Sequence, residues 1–178
     1  MEAKKQRFAV ALGLVAGYAT PMTPRVDPIV LAIASDHAGF ALKASIAEWL
    51  RALGHGVIDL GPFDTASVDY PDFGYTLAGA IASGRATRGV AICGSGIGIS
   101  IAANRHPAVR CALVSDSLSA RLARQHGDAN VLALGARLIG PDMARECVAE
   151  FLATPFDGDR HTARVAKLGA PYFDKEPA

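Results

Sequence analysis

From Ile29 onward the chain alternates short apolar runs with segments whose apolar residues recur every three or four positions. The runs Ile29 to Ala34, Gly56 to Leu60, Gly89 to Cys93, Arg110 to Val114 and Asn130 to Leu134 predict five strands. Each is apolar through its centre, as strands buried on both sides are. Between them, Phe40, Lys43, Ile46, Leu50 and Leu53 mark one helix face closed by Gly54, and Phe73, Leu77 and Ile81 mark another closed by Gly84. Further helical segments are predicted at Ile99 to Asn104, at Ser117 to His126 with Ser115 or Asp116 as cap, and at Pro141 to Ala153, where Pro141 suits a first turn. Strand and helix in strict alternation predict an α/β fold with a parallel sheet and helices on both faces.

Composition narrows the class. With 178 residues, 51% of them hydrophobic and 20% charged, the chain has ample material for one globular core. A net charge of +1 and no block of like charges give no reason to expect nucleic acid or a membrane as partner; partners should be small molecules. The cysteines Cys93, Cys111 and Cys147 are odd in number and lack paired metal-site spacing, which fits a reduced, cytoplasmic setting. Residues 1–27 stand apart as an N-terminal extension. Lys4, Lys5 and Arg7 precede the apolar stretch Phe8 to Ala19, a pattern similar to an export signal but too short to span a membrane. The alternative is a start assigned too early, with Met22 the true one. Pro21, Pro24 and Pro28 make the following stretch linker-like, so residues 28–178 form the domain.

Ligands of open α/β sheets lie outside the carboxyl ends of the strands. Three such ends carry polar residues: Ser35-Asp36-His37-Ala38-Gly39, Cys93-Gly94-Ser95-Gly96-Ile97-Gly98 and Ser115-Asp116-Ser117. In the second, glycines at alternate positions leave backbone N–H groups unshielded, as an oxyanion or phosphate cradle requires, and a thiol stands at its edge as a potential base or nucleophile. Simple core packing is the competing reading of a cysteine that ends a buried strand. Neither nucleotide fingerprint fits, because Ile99 takes the last glycine position of G-x-G-x-x-G and no G-K-[ST] follows. Downstream, Arg137 follows the fifth strand, and Arg160 and Arg164 share one helix face with His161 between them. Such a pair either faces solvent or brackets an anion.

Asp36-His37-Ala38-Gly39-Phe40, Asp69-Tyr70-Pro71, the run Cys93 to Asn104, Arg124-Gln125-His126, the run Asn130 to Arg137, and Arg160-His161 with Arg164 occur in this order. Together they closely resemble the type B ribose-5-phosphate isomerases, a family that includes galactose-6-phosphate and allose-6-phosphate isomerases. The likeness runs from about Ile29 to about Val165. It implies a Rossmann-like three-layer sandwich with a five-stranded parallel sheet and a C-terminal helix reaching a dimer partner. It also implies metal-independent, cofactor-free interconversion of ribose 5-phosphate and ribulose 5-phosphate through an enediol, a step of pentose phosphate metabolism.

By the same resemblance, Cys93 is the base that relays the carbon-bound proton and needs a thiolate. The amides of Gly94, Ser95, Gly96, Ile97 and Gly98 form the anion hole, and the Ser95 hydroxyl helps shuttle protons. His126 is the ring-opening acid; a helix C-terminal histidine serving the dipole is its bland alternative. Asp36 orients hydroxyls, His37 lies near the phosphate end, and Tyr70 lines the pocket from a loop, where a tyrosine before proline can equally be packing. Arg137, Arg160 and Arg164 grip the phosphate. The family's site lies at a homodimer interface, with His126 and some of the arginines from the other chain; dimers and tetramers both remain open.

Two departures bear on the substrate. The family usually has Asn after the catalytic histidine, and this chain has Gly127; it has Ser95 where Thr is common. The first removes a sugar contact, so a six-carbon substrate such as allose or galactose 6-phosphate is the alternative. A non-catalytic sugar-phosphate binder is a further reading, weakened by Cys93 and His126. A cysteine-nucleophile hydrolase leaves the arginines without a role.

Overall fold

A computed structural model of the chain describes residues 27–170. The N-terminal extension falls, except for Asp27, outside the described residues, as do residues 171–178. The elements alternate as expected. They are β1 Val30–Ser35, α1 Phe40–Ala52, β2 Gly56–Asp59, α2 Tyr70–Ala82, β3 Arg88–Cys93, α3 Ile97–Ala103, β4 Cys111–Leu113, α4 Ser117–Gly127, β5 Val131–Gly135, α5 Pro141–Ala153 and α6 Arg160–Gly169. All strand pairs are parallel and the order is β2-β1-β3-β5-β4. The chain therefore leaves β1 for β2 on one side and returns to place β3 on the other. That reversal makes the carboxyl ends of β1 and β3 a topological switch point, where two outgoing connections diverge and leave a crevice.

The two faces of the sheet differ in the size of their side chains. Leu31, Ile33, Val90, Ile92, Leu132 and Leu134 point to one face and are buried against α1, α4 and α5, with Phe151 and Ala120 among the covering residues. Ala32, Ala34, Ala91, Ala133 and Cys93 point to the other, beneath α2 and α3. Small residues let those helices approach closely: a Cβ on Gly74 of α2 would lie 2.7 Å from Ala102 Cβ of α3. Cys93 thus ends its strand on the tightly covered, alanine-rich face.

Helix ends follow local chemistry. Asp116 caps α4, its Oδ1 accepting from Ser119 N at 2.8 Å, so it, rather than Ser115, is the N-cap. Gly54 and Gly84 take left-handed φ values of +91° and +73° just past α1 and α2, as the sequence predicts. α3 begins at Ile97, two residues before the predicted Ile99, because the turn at Gly96 already aims the backbone into a helix. Tyr70 opens α2 instead of lying in a loop, since Pro71 is tolerated in a first turn. Lys43 keeps its place in the buried stripe of α1 at 1% exposure, because its Nζ meets Asp59 Oδ1 at 2.5 Å. Among the described residues no helix is long and apolar enough to cross a membrane.

Candidate active site

The candidate residues fall into two groups. The first surrounds the turn after β3. Cys93 is 3% exposed, and Gly96 N donates to its Sγ at 3.0 Å. Gly96 holds φ +77°, and a Cβ there would lie 2.8 Å from the Leu134 carbonyl carbon, so only glycine lets the turn bring its amide back over the sulfur. Ile97 N donates to Ser95 Oγ at 3.3 Å. Two of the five expected anion-hole amides are thus engaged by the loop's own thiol and hydroxyl. The amide of Gly98, in the first turn of α3, has no intrahelical carbonyl to bond.

Neighbouring strand ends close in on this turn. Ala136 N donates to the Cys93 carbonyl at 2.9 Å and Arg137 N to that of Gly94 at 3.0 Å, which lays the Arg137 side chain over Gly94. The Tyr70 ring covers Gly98 so closely that a Cβ on Gly98 would run into it. At the end of β1, Asp36 is buried and its Oδ1 accepts from Gly39 N at 2.9 Å. His37 Nδ1 accepts from Val68 N at 3.3 Å, which leaves Nε2–H as the donor available to a ligand. The loop that leads to Val68 is held at its start: Gly61 N donates to Asp59 Oδ1 at 2.9 Å and Ser35 N to the Gly61 carbonyl at 3.0 Å, so the Lys43–Asp59 pair anchors that end of the loop. A cavity of about 260 Å³, lined by Ser95, Ile97, Leu113, Ser115, Ser119 and Leu138 among others, opens beside the turn.

The second group lies at the other end of the sheet. α4 starts beside the carboxyl end of β4 and runs back, so its last turn, with His126 and Gly127, stands about 15 Å away along its axis. There His126 is exposed and stacks on the buried His161 of α6, ring centroids 4.4 Å apart and planes 4° from parallel. Arg160 and Arg164 flank it on α6. Burial first, then His126, Arg160 and Arg164, push the His161 pKa below the ordinary value of 6.5, with Asp157 opposing. Within one chain, therefore, Cys93, Ser95, Asp36, His37, Tyr70 and Arg137 come together, whereas His126, Gly127, Arg160 and Arg164 assemble elsewhere.

Sequence reasoning assigned no role to the residues that fix this second group. Arg124, 3% exposed, sends Nη1 to Asp128 Oδ1 at 2.7 Å and to the Ala129 carbonyl at 2.6 Å, and Arg110 Nη2 reaches Asp128 Oδ2 at 2.6 Å. Asp128 holds this pair of arginines from a left-handed φ of 43°, ending α4 one residue after Gly127. The i,i+4 spacing of Arg124 and Asp128 is the signal that could have revealed it. Burial pushes the Cys111 thiol up to about 12 and, with Asp116 and Glu146 adding to it, that of Cys147 up to about 11. Among the described residues no three His, Cys, Asp or Glu side chains gather as a metal site would need.

Known proteins resemble this chain in sequence and fold. The ribose-5-phosphate isomerase B of Escherichia coli (strain K12) is 41% identical over 140 residues, 79% of this chain and 94% of that protein. The D-erythrulose-4-phosphate isomerase of Pectobacterium atrosepticum is likewise 41% identical, over 147 residues, 82% of this chain and 95% of that one. A solved structure of Clostridium thermocellum ribose-5-phosphate isomerase B superposes with a TM-score of 0.78 at 49% identity, covering 79% of this chain and 95% of that one. The profile of the family described as Ribose/Galactose Isomerase matches residues 31–168, and this chain belongs to that family.

Proposed function

We propose that residues 28–178 form an aldose–ketose isomerase that interconverts ribose 5-phosphate and ribulose 5-phosphate, acting as a homodimer. The observation that carries this reading is the turn after β3, where a buried thiol, a backbone donor on its sulfur, an arginine and a tyrosine meet at the switch point of the sheet. An enediol mechanism needs a base, an oxyanion cradle, a ring-opening acid and a phosphate grip. Cys93 Sγ takes the C2 proton of the open-chain aldose and returns it to C1. The carbonyl electrons move onto O1 as the enediolate forms, and the Gly98 amide with the Ser95 hydroxyl stabilises that charge. A proton then passes from O2 to O1 by way of Ser95, and the ketose is complete.

Ring opening comes first and falls to His126, which accepts the anomeric hydroxyl proton and supplies one to the ring oxygen. Since His126 and Cys93 of one chain stand at opposite ends of the sheet, the acid at each site comes from the other chain. Arg160 and Arg164 come with it and join Arg137 on the phosphate, near His37 Nε2, while Asp36 orients hydroxyls. A docking surface supports the dimer: Ile97 and Ile101 of α3, Leu113 of the edge strand β4 and Leu118 of α4 are 44 to 57% exposed along one flank.

Gly127 favours a second reading of the substrate. It replaces the amide expected to touch the sugar, and a relative of equal identity is named for a four-carbon ketose phosphate; we place the choice of sugar in hydroxyl contacts at this position. Conversion of ribose 5-phosphate by the purified protein in the presence of a chelator, beside Cys93→Ala, tests the proposal. Activity in the parent and loss in the variant are expected; equal activity in both refutes the mechanism.

A further inference from the structure

One side chain of the second group has no part in the reaction described above. His161 is 8% exposed, although its neighbours Arg160, Thr162, Ala163 and Arg164 on α6 are all exposed. Its ring lies flat beneath His126, 4.4 Å between centroids and 4° between planes, so that one face of the exposed His126 is covered. Arg160 Nε donates to His161 Nε2 at 3.3 Å. A donor facing Nε2 requires that nitrogen to be bare, which makes the ring neutral with its proton on Nδ1.

The surroundings enforce that state. His126 faces His161 from α4, Arg160 and Arg164 from its own helix, and Asp157 from the segment before it; three of these carry or can carry positive charge. A second imidazolium against His126 would repel it at contact distance. A neutral ring stays beneath His126 while His126 gains and loses a proton. The same contact occupies only the Nε of Arg160, leaving its two terminal nitrogens to fork onto a phosphate.

Resting on the roles given above to His126 and Arg160, we propose that His161 is a positioning residue: a flat neutral support that holds the His126 ring at the angle for ring opening, and the acceptor that aims the Arg160 fork at the phosphate. It does not touch substrate. The two tasks separate by substitution. His161→Phe keeps the flat ring and loses the acceptor; His161→Gln keeps an acceptor near the Nε2 position and loses the stack.

Steady-state kinetics on ribose 5-phosphate, with thermal unfolding to confirm that each variant is folded, should split accordingly. His161→Phe raises KM by about tenfold with kcat near the parent's, and His161→Gln lowers kcat by about tenfold with KM little changed, the size expected for one charge-assisted hydrogen bond or one lost ring contact. Variants that behave alike, both like the parent or both impaired in kcat and KM together, overturn the proposal, because a merely structural role moves the two constants together. Nitrogen-15 NMR of the unliganded parent at neutral pH gives a readout independent of activity. The Nδ1–H tautomer at His161 is expected, and an Nε2–H or doubly protonated ring overturns the assignment. If the parent isomerises no sugar phosphate, the functional reading falls, while the tautomer still decides how His161 is held.

Discussion

Cys93 and His126 stand at opposite ends of the parallel sheet, one closing the carboxyl end of β3 and the other in the last turn of α4, which runs antiparallel to the strands. Neither can serve the other within a chain. Both are needed by the enediol mechanism proposed above, which begins from a closed sugar ring, so that proposal requires a second copy of the chain. Ile97 and Ile101 of α3, Leu113 of β4 and Leu118 of α4 are exposed apolar residues, and they form the surface on which we propose that this copy docks.

Removing the proposed base should remove the reaction. Cys93→Ala is expected to lower kcat for ribose 5-phosphate by about 10³-fold or more while the protein stays folded, since general bases supply about 10² to 10⁴. Steady-state assays with matched unfolding curves check this, and a variant within tenfold of the parent contradicts it.

Thiol chemistry should single out the same residue. Cys111 is pushed up to about 12 and Cys147 to about 11, so both remain protonated thiols at mildly alkaline pH. Loss of activity in iodoacetamide should track modification of Cys93 by peptide mass analysis, and ribose 5-phosphate should protect it. Inactivation that tracks Cys111 or Cys147 counts against the account.

Two glycines should respond differently to alanine. A Cβ on Gly135 would lie 2.6 Å from the Ser95 carbonyl oxygen, a backbone atom that cannot swing away, so Gly135→Ala should cost about 1 to 3 kcal/mol and disturb the Cys93 turn. A Cβ on Gly98 meets the outer edge of the Tyr70 ring, a side chain rather than backbone, on a residue 42% exposed. Gly98→Ala should therefore spare stability and raise KM. In a Tyr70→Ala background the same change should add little, and a double-mutant cycle measures the coupling.

Nothing lies within 4 Å of a Cβ placed on Gly127, and its φ is not among the positive values. Gly127→Asn should then fold as well as the parent, with helix propensity in its favour. Its effect should fall on sugar choice: the ratio of kcat/KM for ribose 5-phosphate over four- and six-carbon sugar phosphates changes. An unchanged ratio removes Gly127 from the specificity argument.

Stability should carry the signature of a histidine held neutral. The folded pKa of His161 lies below 6.5, so between that value and 6.5 the unfolded chain binds a proton that the folded chain refuses. Its contribution is intact above pH 6.5 and declines as pH falls through that window. Urea unfolding at about pH 7.5 and about pH 5.5 should show a smaller acid loss in His161→Phe than in the parent.

Much of this was legible in the chain itself. The apolar runs placed all five strands within a residue or two, with the clearest signal from β1, β3 and β5, which are almost wholly buried, whereas the edge strands β2 and β4 are only partly covered. The glycine spacing after Cys93 marked the turn. What periodicity could not show was distance across the fold: that α4 carries His126 to the far end of the sheet, that Lys43 is buried because Asp59 lies across from it, and that Asp128 ties Arg124 to Arg110. Those facts depend on strand order and on pairs far apart in sequence. His161 stood in plain view between two arginines, yet only its stacking on His126 gave it a role.

Subunit complementation tests the composite site most directly. Cys93→Ala and His126→Asn are each prepared as inactive proteins, mixed under conditions of subunit exchange confirmed by mass spectrometry, and assayed on ribose 5-phosphate. Every mixed dimer then holds one site with both residues intact and one with neither. Random exchange should restore about one quarter of the parent activity. Exchange without any regain contradicts the claim that each site is built from two chains.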